Sequence, residues 1–127
     1  MSKFINPAAV VAQAGPTNGQ VVADLGCGSG FYVLPAAQLV GNGGKVYAVD
    51  VMEDKLAATV SIARQMGYRN VTEVRAVLTR PLTEIPANSC DMVILGNILH
   101  QVPNQEAVIA NAYRILKTGG RLLAYCY

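Results

Sequence analysis

Short apolar runs alternate along the chain with stretches whose apolar residues recur at helical spacing. The apolar runs, several of them rich in valine, predict five β-strands, at residues 20–24, 45–50, 71–77, 91–95 and 121–127. The stretches with helical spacing predict α-helices at residues 6–14, 31–40, 53–66 and 103–117. Strands that alternate with helices are typical of a parallel sheet with helices on both faces. We therefore predict an α/β fold, doubly wound and Rossmann-like, with three layers in the order α/β/α.

The first predicted strand ends at Asp24 and is followed by glycines at alternate positions, Gly26, Gly28 and Gly30. We call residues 24–30 (DLGCGSG) the glycine turn. A strand that turns sharply into a helix while its backbone contacts a ligand needs residues without a Cβ at the points of contact. Ligands of such folds bind at the carboxyl edge of the sheet. The sequence therefore predicts a ligand site at the glycine turn.

The spacing of the glycines limits the class of nucleotide that the turn can bind. A dinucleotide fingerprint would place its third glycine at position 31, where this chain has Phe31, so a pyrophosphate is disfavoured. Asp50 ends the second strand, within reach of a ribose held over the turn. Its carboxylate can accept hydrogen bonds from both sugar hydroxyls. These residues favour an unphosphorylated adenosine ribose, and a nicotinamide-dependent oxidoreductase is the weaker alternative.

Composition narrows the remaining functions. A chain of 127 residues can build one hydrophobic core, so we expect a single domain over residues 1–127. The net charge is only +2 and the cationic residues are scattered, which gives no clear signal for nucleic-acid binding.

Without an apolar stretch of signal-peptide or membrane-span length, we expect a cytoplasmic protein. Cys27, Cys90 and Cys126 lack CxxC spacing and His100 is the sole histidine, so we predict no metal site.

Four motifs occur in an order and at separations that resemble a known family. They are DLGCGSG at 24–30, the acidic strand end at Asp50, CDMVILGNILH at 90–100 and LKTGGRLL at 116–123. This series is similar to that of the class I S-adenosylmethionine-dependent methyltransferases and covers nearly the whole chain. The resemblance implies a sheet in the order 3-2-1-4-5 and S-adenosylmethionine as cofactor, with S-adenosylhomocysteine as product. It also implies methyl transfer to a small acceptor that the sequence does not identify.

By this resemblance, the glycine turn would contact the methionine part of the cofactor. Gly26 and Gly28 would lie under that part, and Gly30 would stand at the start of the following helix. Asp24 would bind through the cofactor's amino group, directly or through water, although it could also simply cap the turn. Cys27 lies between the glycines as a small buried residue that fills the turn.

The ends of the second and third strands would bind the adenosine part. The resemblance assigns the ribose to Asp50 and one face of the adenine to Val51 or Met52. Many relatives carry an acidic residue after the third strand that accepts the adenine amino group, whereas this chain has Val77 at the candidate position. Loss of that hydrogen bond costs roughly 1 kcal/mol of cofactor affinity. Backbone groups remain to recognise the adenine edge.

Residues after the fourth strand would lie nearest the reacting group. Asn97 falls where family members often contact the methionyl part of the cofactor, although asparagine at a strand end often only satisfies backbone groups. His100 is the candidate catalytic residue, because a histidine beside the methyl donor could act as a general base. Alignment and desolvation alone can suffice for methyl transfer. Packing or shaping of the substrate site is therefore the alternative role for His100.

The fifth strand bears on the question of partners. Family members normally continue beyond it into a helix and an antiparallel hairpin whose last strand pairs with it, whereas this sequence ends at Tyr127. The strand from Arg121 to Tyr127 would then be an open apolar edge, which is a template for pairing with another molecule. We therefore expect a homo-oligomer through this edge. A truncated or engineered core that binds the cofactor without turnover is the alternative.

Overall fold

One parallel sheet organises the chain. The computed structural model describes residues 6–96 and 103–125. The elements in chain order are α1 (Pro7–Ala14), β1 (Val21–Leu25), α2 (Val33–Val40), β2 (Lys45–Asp50), α3 (Glu53–Gln65), β3 (Val71–Arg75), β4 (Cys90–Gly96), α4 (Gln105–Ile115) and β5 (Leu116–Tyr125). The strands pair in parallel in the order β3-β2-β1-β4-β5. The predicted fold class and strand order are confirmed.

Each face of the sheet has its own hydrophobic core, because successive side chains of a strand point to opposite faces. Helices α1, α2 and α3 cover the face that includes Val22 and Met92. Helix α4 and the β3–β4 connection, residues 76–89, cover the face that includes Ala23 and Leu25. The helices of the described residues are too short or too polar to cross a membrane. The three layers place every strand-to-helix connection at the carboxyl edge of the sheet.

The limits of the strands differ from the predicted ones where pairing partners end. Strand β3 stops at Arg75 rather than at residue 77, because its last partner is Asp50, the final residue of β2. The backbone N–H of Ala76 still donates to the Asp50 carbonyl at 3.1 Å, and the chain then turns. Strands β1 and β4 extend past their predicted limits at the carboxyl end by one residue each.

Helix α2 begins two residues later than predicted, at Val33 instead of Phe31. Pro35 is therefore the third residue of the helix. Backbone N–H groups in the first turn have no partner within a helix, so a proline is accommodated there. At the start of α1, Asn6 caps the helix, since its side chain accepts a hydrogen bond from the Ala9 N–H at 3.2 Å.

Helix α4 is shorter than predicted at both ends. It begins after Asn104, whose side chain accepts a hydrogen bond from the Ala107 N–H at 3.2 Å, so Pro103 precedes the cap instead of opening the helix. It ends at Ile115, because Leu116 is already extended (φ −71°, ψ 137°).

Strand β5 begins five residues earlier than predicted. Leu116 pairs with Cys90, and the next paired residues are Met92 and Arg121, so residues 117–120 bulge out of the ladder. Gly119 has a φ of 82° within this bulge. Its glycines and polar residues have the composition of a loop, which explains why the prediction placed the strand start at Arg121. Residues 126 and 127 of the predicted strand lie outside the described residues.

Candidate functional site

The glycine turn connects β1 to α2 at the carboxyl edge of the sheet. Gly26, Gly28 and Gly30 have φ angles of 81°, 53° and 83°, which residues with a side chain rarely adopt. The N–H groups of Gly26 and Cys27 both donate to the carbonyl of Val49, at 2.7 and 2.9 Å. The turn is thus held against the end of β2, next to Asp50.

Gly28 and Gly30 serve different purposes in the turn. A Cβ built on Gly28 would have no atom within 4 Å, so the space beside it is open. A Cβ on Gly30 would lie 2.7 Å from Cγ2 of Thr59, a residue of α3. The Thr59 hydroxyl also donates to the Gly28 carbonyl at 3.3 Å. Gly28 therefore leaves room for a ligand, whereas Gly30 allows α3 to pack on the turn.

Asp50 fixes the turn from the other side. Its Oδ2 accepts a hydrogen bond from the Gly28 N–H, and its Oδ1 accepts one from the Met52 N–H, each at 2.9 Å. A carboxylate oxygen can accept more than one hydrogen bond. Asp50 can therefore hold the backbone and still bind the hydroxyl groups of a ligand.

Asp24 is a buried acid with an oxygen that lacks a protein partner. Asp24 is only 1% exposed, and within the described part of the chain its Oδ2 has no hydrogen-bond partner. Burial, and to a smaller extent the negative charge of Asp50, raises the pKa of Asp24 to about 7. Leaving such an atom unpaired is costly, and a cationic N–H donor would satisfy it. The amino group of S-adenosylmethionine fits this requirement.

A cleft of about 400 Å³ opens beside the glycine turn, a volume in the range of small-molecule sites. Three connections at the carboxyl edge, together with Pro103 before α4, supply its lining: Gly26, Gly28, Asp50, Val51, Met52, Lys55, Ala76, Val77, Leu78, Thr79 and Pro103. Val51, Met52 and Val77 are 51%, 46% and 42% exposed, so apolar surface is available to an aromatic ring. The cleft combines this apolar surface with the Asp50 carboxylate.

The cleft brings together six of the residues predicted to bind the cofactor: Gly26, Gly28, Asp50, Val51, Met52 and Val77. Asp24, Cys27 and Gly30 lie outside its lining. Cys27 is buried, as expected of a residue that fills the turn, and burial raises the pKa of its thiol. Asn97 and His100 lie outside the described residues.

Sequence reasoning missed five lining residues: Lys55, Ala76, Leu78, Thr79 and Pro103. A signal was present for four of them. Residues 76, 78 and 79 follow a strand whose carboxyl end was certain to reach the same edge as the glycine turn. Lys55 stands three residues after Met52, a spacing that brings side chains together at a helix start. Pro103 could be placed only once the start of α4 was known.

Residues 16–127 match the protein family described as a methyltransferase domain. The chain belongs to this methyltransferase family. Membership confirms the family that the four sequence motifs indicated, the S-adenosylmethionine-dependent methyltransferases, and with it the cofactor expected for such a fold.

The chain is similar to methyltransferases with different names. The aklanonic acid methyltransferase of Streptomyces sp. (strain C5) is 31% identical over 107 residues, which cover 84% of this chain and 48% of that protein. The ubiquinone/menaquinone biosynthesis C-methyltransferase of Escherichia coli O1:K1 is 33% identical over 111 residues, covering 87% and 43%. A SAM-dependent methyltransferase structure from Aquifex aeolicus matches with a TM-score of 0.77 at 27% identity, covering 88% of this chain and 58% of that one. The chain thus spans about half the length of these relatives.

Proposed function

We propose that this chain is the cofactor-binding core of a methyltransferase and binds S-adenosylmethionine in the cleft beside the glycine turn. The observation that carries this proposal is the position of Asp50. One of its carboxylate oxygens holds the Gly28 N–H at 2.9 Å, while the side chain also lines the cleft. A single carboxylate thus connects the part of the site suited to the methionine moiety with the part suited to the ribose.

In this proposal the glycine turn binds the amino-acid part of the cofactor. The buried Oδ2 of Asp24, which has no hydrogen-bond partner among the described residues, accepts a hydrogen bond from the amino group. Gly26 and Gly28 let the backbone approach the ligand, Cys27 fills the turn beneath them, and Gly30 lets α3 close over it. The orientation of the cofactor then follows from groups that are already fixed in the protein.

The other end of the cleft binds the adenosine part. Asp50 accepts hydrogen bonds from the ribose hydroxyls, and the exposed apolar groups of Val51, Met52 and Val77 lie against the adenine. When bound, S-adenosylmethionine supplies an electrophilic methyl group on a sulfonium centre. Alignment of the acceptor with this group and its desolvation favour the transfer.

In this proposal the acceptor is a small molecule, and Asn97 and His100 are the residues assigned to the reacting end of the site. Support comes from their neighbours in the chain, because β4 ends at the carboxyl edge and Pro103 lines the cleft. Asn97 would contact the methionyl part of the cofactor, and His100 would shape the acceptor site or act as a base. A His100→Gln variant separates these roles. If histidine acts as a base, the pH profile of transfer flattens on the acidic side, and if it shapes the site, KM rises with the profile unchanged.

We also propose that residues 1–127 form one domain and that copies associate through β5. Support for the association is the place of β5 at the end of the strand order, where one of its edges is not covered by β4. Leu122 on this strand is 36% exposed. Sedimentation at micromolar concentration should show an oligomer, and a clean monomer would refute the association. A cytoplasmic location stays a prediction from the sequence.

Calorimetry with S-adenosylmethionine, S-adenosylhomocysteine and NAD tests the cofactor proposal. We expect saturable binding of the first two ligands and none of NAD. Asp50→Asn keeps the size of the side chain but removes its charge. It should lower the affinity for S-adenosylhomocysteine by about tenfold or more, since hydrogen bonds to charged groups contribute about 1.5–3 kcal/mol.

Asp91→Asn is the matched control for this variant. The Asp91 carboxylate also accepts a backbone N–H, that of Val21 at 2.9 Å, but at the opposite edge of the sheet. Its substitution should leave the affinity for S-adenosylhomocysteine unchanged. Binding of NAD alone, or of no ligand, would overturn the proposal, whereas cofactor binding without transfer to any acceptor would favour a core that lacks turnover.

A further inference from the structure

A buried asparagine of α4 holds the β3–β4 connection in place. Asn111 is 5% exposed, and its side chain makes three hydrogen bonds with the backbone of that connection. Its Oδ1 accepts from the Leu82 N–H at 2.9 Å. Its Nδ2 donates to the carbonyl oxygens of Leu78 at 2.9 Å and Arg80 at 2.8 Å. One side chain thus fixes the backbone at three points within five residues.

Arg114, which follows one turn later on α4, extends this set of contacts. Its guanidinium donates to the carbonyl oxygens of Leu82 and Ile85, the latter at 2.8 Å. Asn111 and Arg114 therefore bind the main chain of the connection, and these bonds fix the path of its backbone.

The same connection forms one wall of the cofactor cleft. Ala76, Val77, Leu78 and Thr79 line the cleft, and Leu78 is also one of the residues whose carbonyl binds Asn111. The backbone turns at this point, since the Arg80 N–H donates to the Val77 carbonyl at 3.0 Å. A shift of the connection at residues 78 and 80 would therefore move the wall that faces the ligand.

We propose that Asn111 is a positioning residue for adenine recognition, acting through the backbone of residues 78 and 80. This inference rests on the proposed cofactor site. The side chain of Val77 has no polar group to offer the adenine. The polar groups of this wall are therefore the Thr79 hydroxyl and those of the main chain. The hydrogen bonds of Asn111 hold that main chain at the position where it can distinguish one purine edge from another.

The test compares Asn111→Ala with a control that loses the same kind of contact elsewhere. Asn70 also bridges two carbonyl oxygens with its Nδ2, those of Ala37 at 2.9 Å and Gly41 at 2.8 Å. It precedes β3, at the edge of the sheet opposite the cleft. The affinities of wild type, Asn111→Ala and Asn70→Ala are measured for S-adenosylhomocysteine and S-inosylhomocysteine, which differ only at the purine. Circular dichroism establishes that each variant is folded.

We expect Asn111→Ala to lower the affinity for S-adenosylhomocysteine by about tenfold, equivalent to about 1.4 kcal/mol. It should also reduce the preference for adenine over hypoxanthine. Asn70→Ala should leave the affinity and the preference unchanged. A merely structural role would lower the thermal stability of both variants without changing the preference of the folded protein. An unchanged preference in Asn111→Ala, or an equal change in Asn70→Ala, would overturn the inference.

If Asn111→Ala does not fold, Asn111→Asp provides the decisive measurement, because a carboxylate keeps the acceptor for the Leu82 N–H and loses the donor to the Leu78 and Arg80 carbonyls. The preference of this variant for adenine should fall as well, and an unchanged preference would overturn the inference. Failure of the proposed function has a separate signature. In that case the wild-type protein itself does not bind S-adenosylhomocysteine.

Discussion

Replacing Asp24 with asparagine should stabilise the ligand-free protein at neutral and higher pH. Asp24 is a buried residue at the start of the glycine turn, and among the described residues its Oδ2 has no hydrogen-bond partner. Burial first and the negative charge of Asp50 second raise its pKa from the ordinary 3.8 to about 7. Asparagine has the same shape and carries no charge, so it removes the cost of ionising a buried group.

The magnitude follows from the difference in proton binding between the folded and unfolded chains. Above about pH 4 an unfolded aspartate releases its proton, whereas the folded protein keeps the proton on Asp24 until about pH 7. The folded state therefore loses stability as the pH rises through this interval. A pKa raised by about three units corresponds to about 4 kcal/mol. Asp24→Asn should escape this loss.

Denaturant unfolding of wild type and Asp24→Asn, at steps from about pH 5 to about pH 8, measures the effect. The free energy of unfolding of wild type should fall relative to that of the variant by about 1.4 kcal/mol per pH unit until about pH 7. Asp50→Asn removes the smaller cause of the raised pKa, so the fall should end at a lower pH in that background. Parallel curves for wild type and Asp24→Asn would refute the reasoning.

Three further predictions concern stability and reactivity. In urea unfolding, Gly30→Ala should lower the free energy of unfolding by about 1–3 kcal/mol, because position 30 has a positive φ and a Cβ there would contact Thr59. Adding Thr59→Ala should restore only the part of this loss that is due to the steric clash. Asn104→Ala should lower the free energy of unfolding by about 1 kcal/mol, since the Ala107 N–H loses its capping partner, and a loss below a few tenths in the same assay would contradict this. Cys27 should resist iodoacetamide at mildly alkaline pH because burial raises the pKa of its thiol, and rapid alkylation of the folded protein in peptide mass spectrometry would show otherwise.

The number of strands could be predicted because each apolar run is bounded by turn residues, and their order could be predicted because the motif series resembles a family of known topology. The first and last residues of the strands could not be predicted, because they depend on which residues of the neighbouring strand are paired. Strand β3 ends where β2 stops, and the bulge in β5 exists only in relation to Cys90 and Met92 of β4. A local sequence of glycine and polar residues carries no sign of that pairing.

The candidate site was predictable where a residue type is required by the backbone or by charge. Glycines at positive φ and a carboxylate at the end of a strand are such cases, and Gly26, Gly28 and Asp50 indeed line the cleft. The β3–β4 connection could be placed at this edge, and Val77 was assigned to the site, but the sequence does not show which of its other residues line the cleft, because they need no special chemistry to do so. Likewise, the contacts of Asn111 join positions 29 to 33 residues apart, which no local pattern indicates.

The two hydrogen bonds that Asp50 accepts, from Gly28 and Met52, have a thermodynamic consequence for binding. Because the Asp50 carboxylate holds the N–H groups of Gly28 and Met52, a ligand need not order this part of the site. Preorganised sites avoid the entropy cost of immobilising loops. The heat-capacity change of cofactor binding should therefore be small and negative, set by the apolar surface that the ligand buries, without the larger contribution that coupled folding would add.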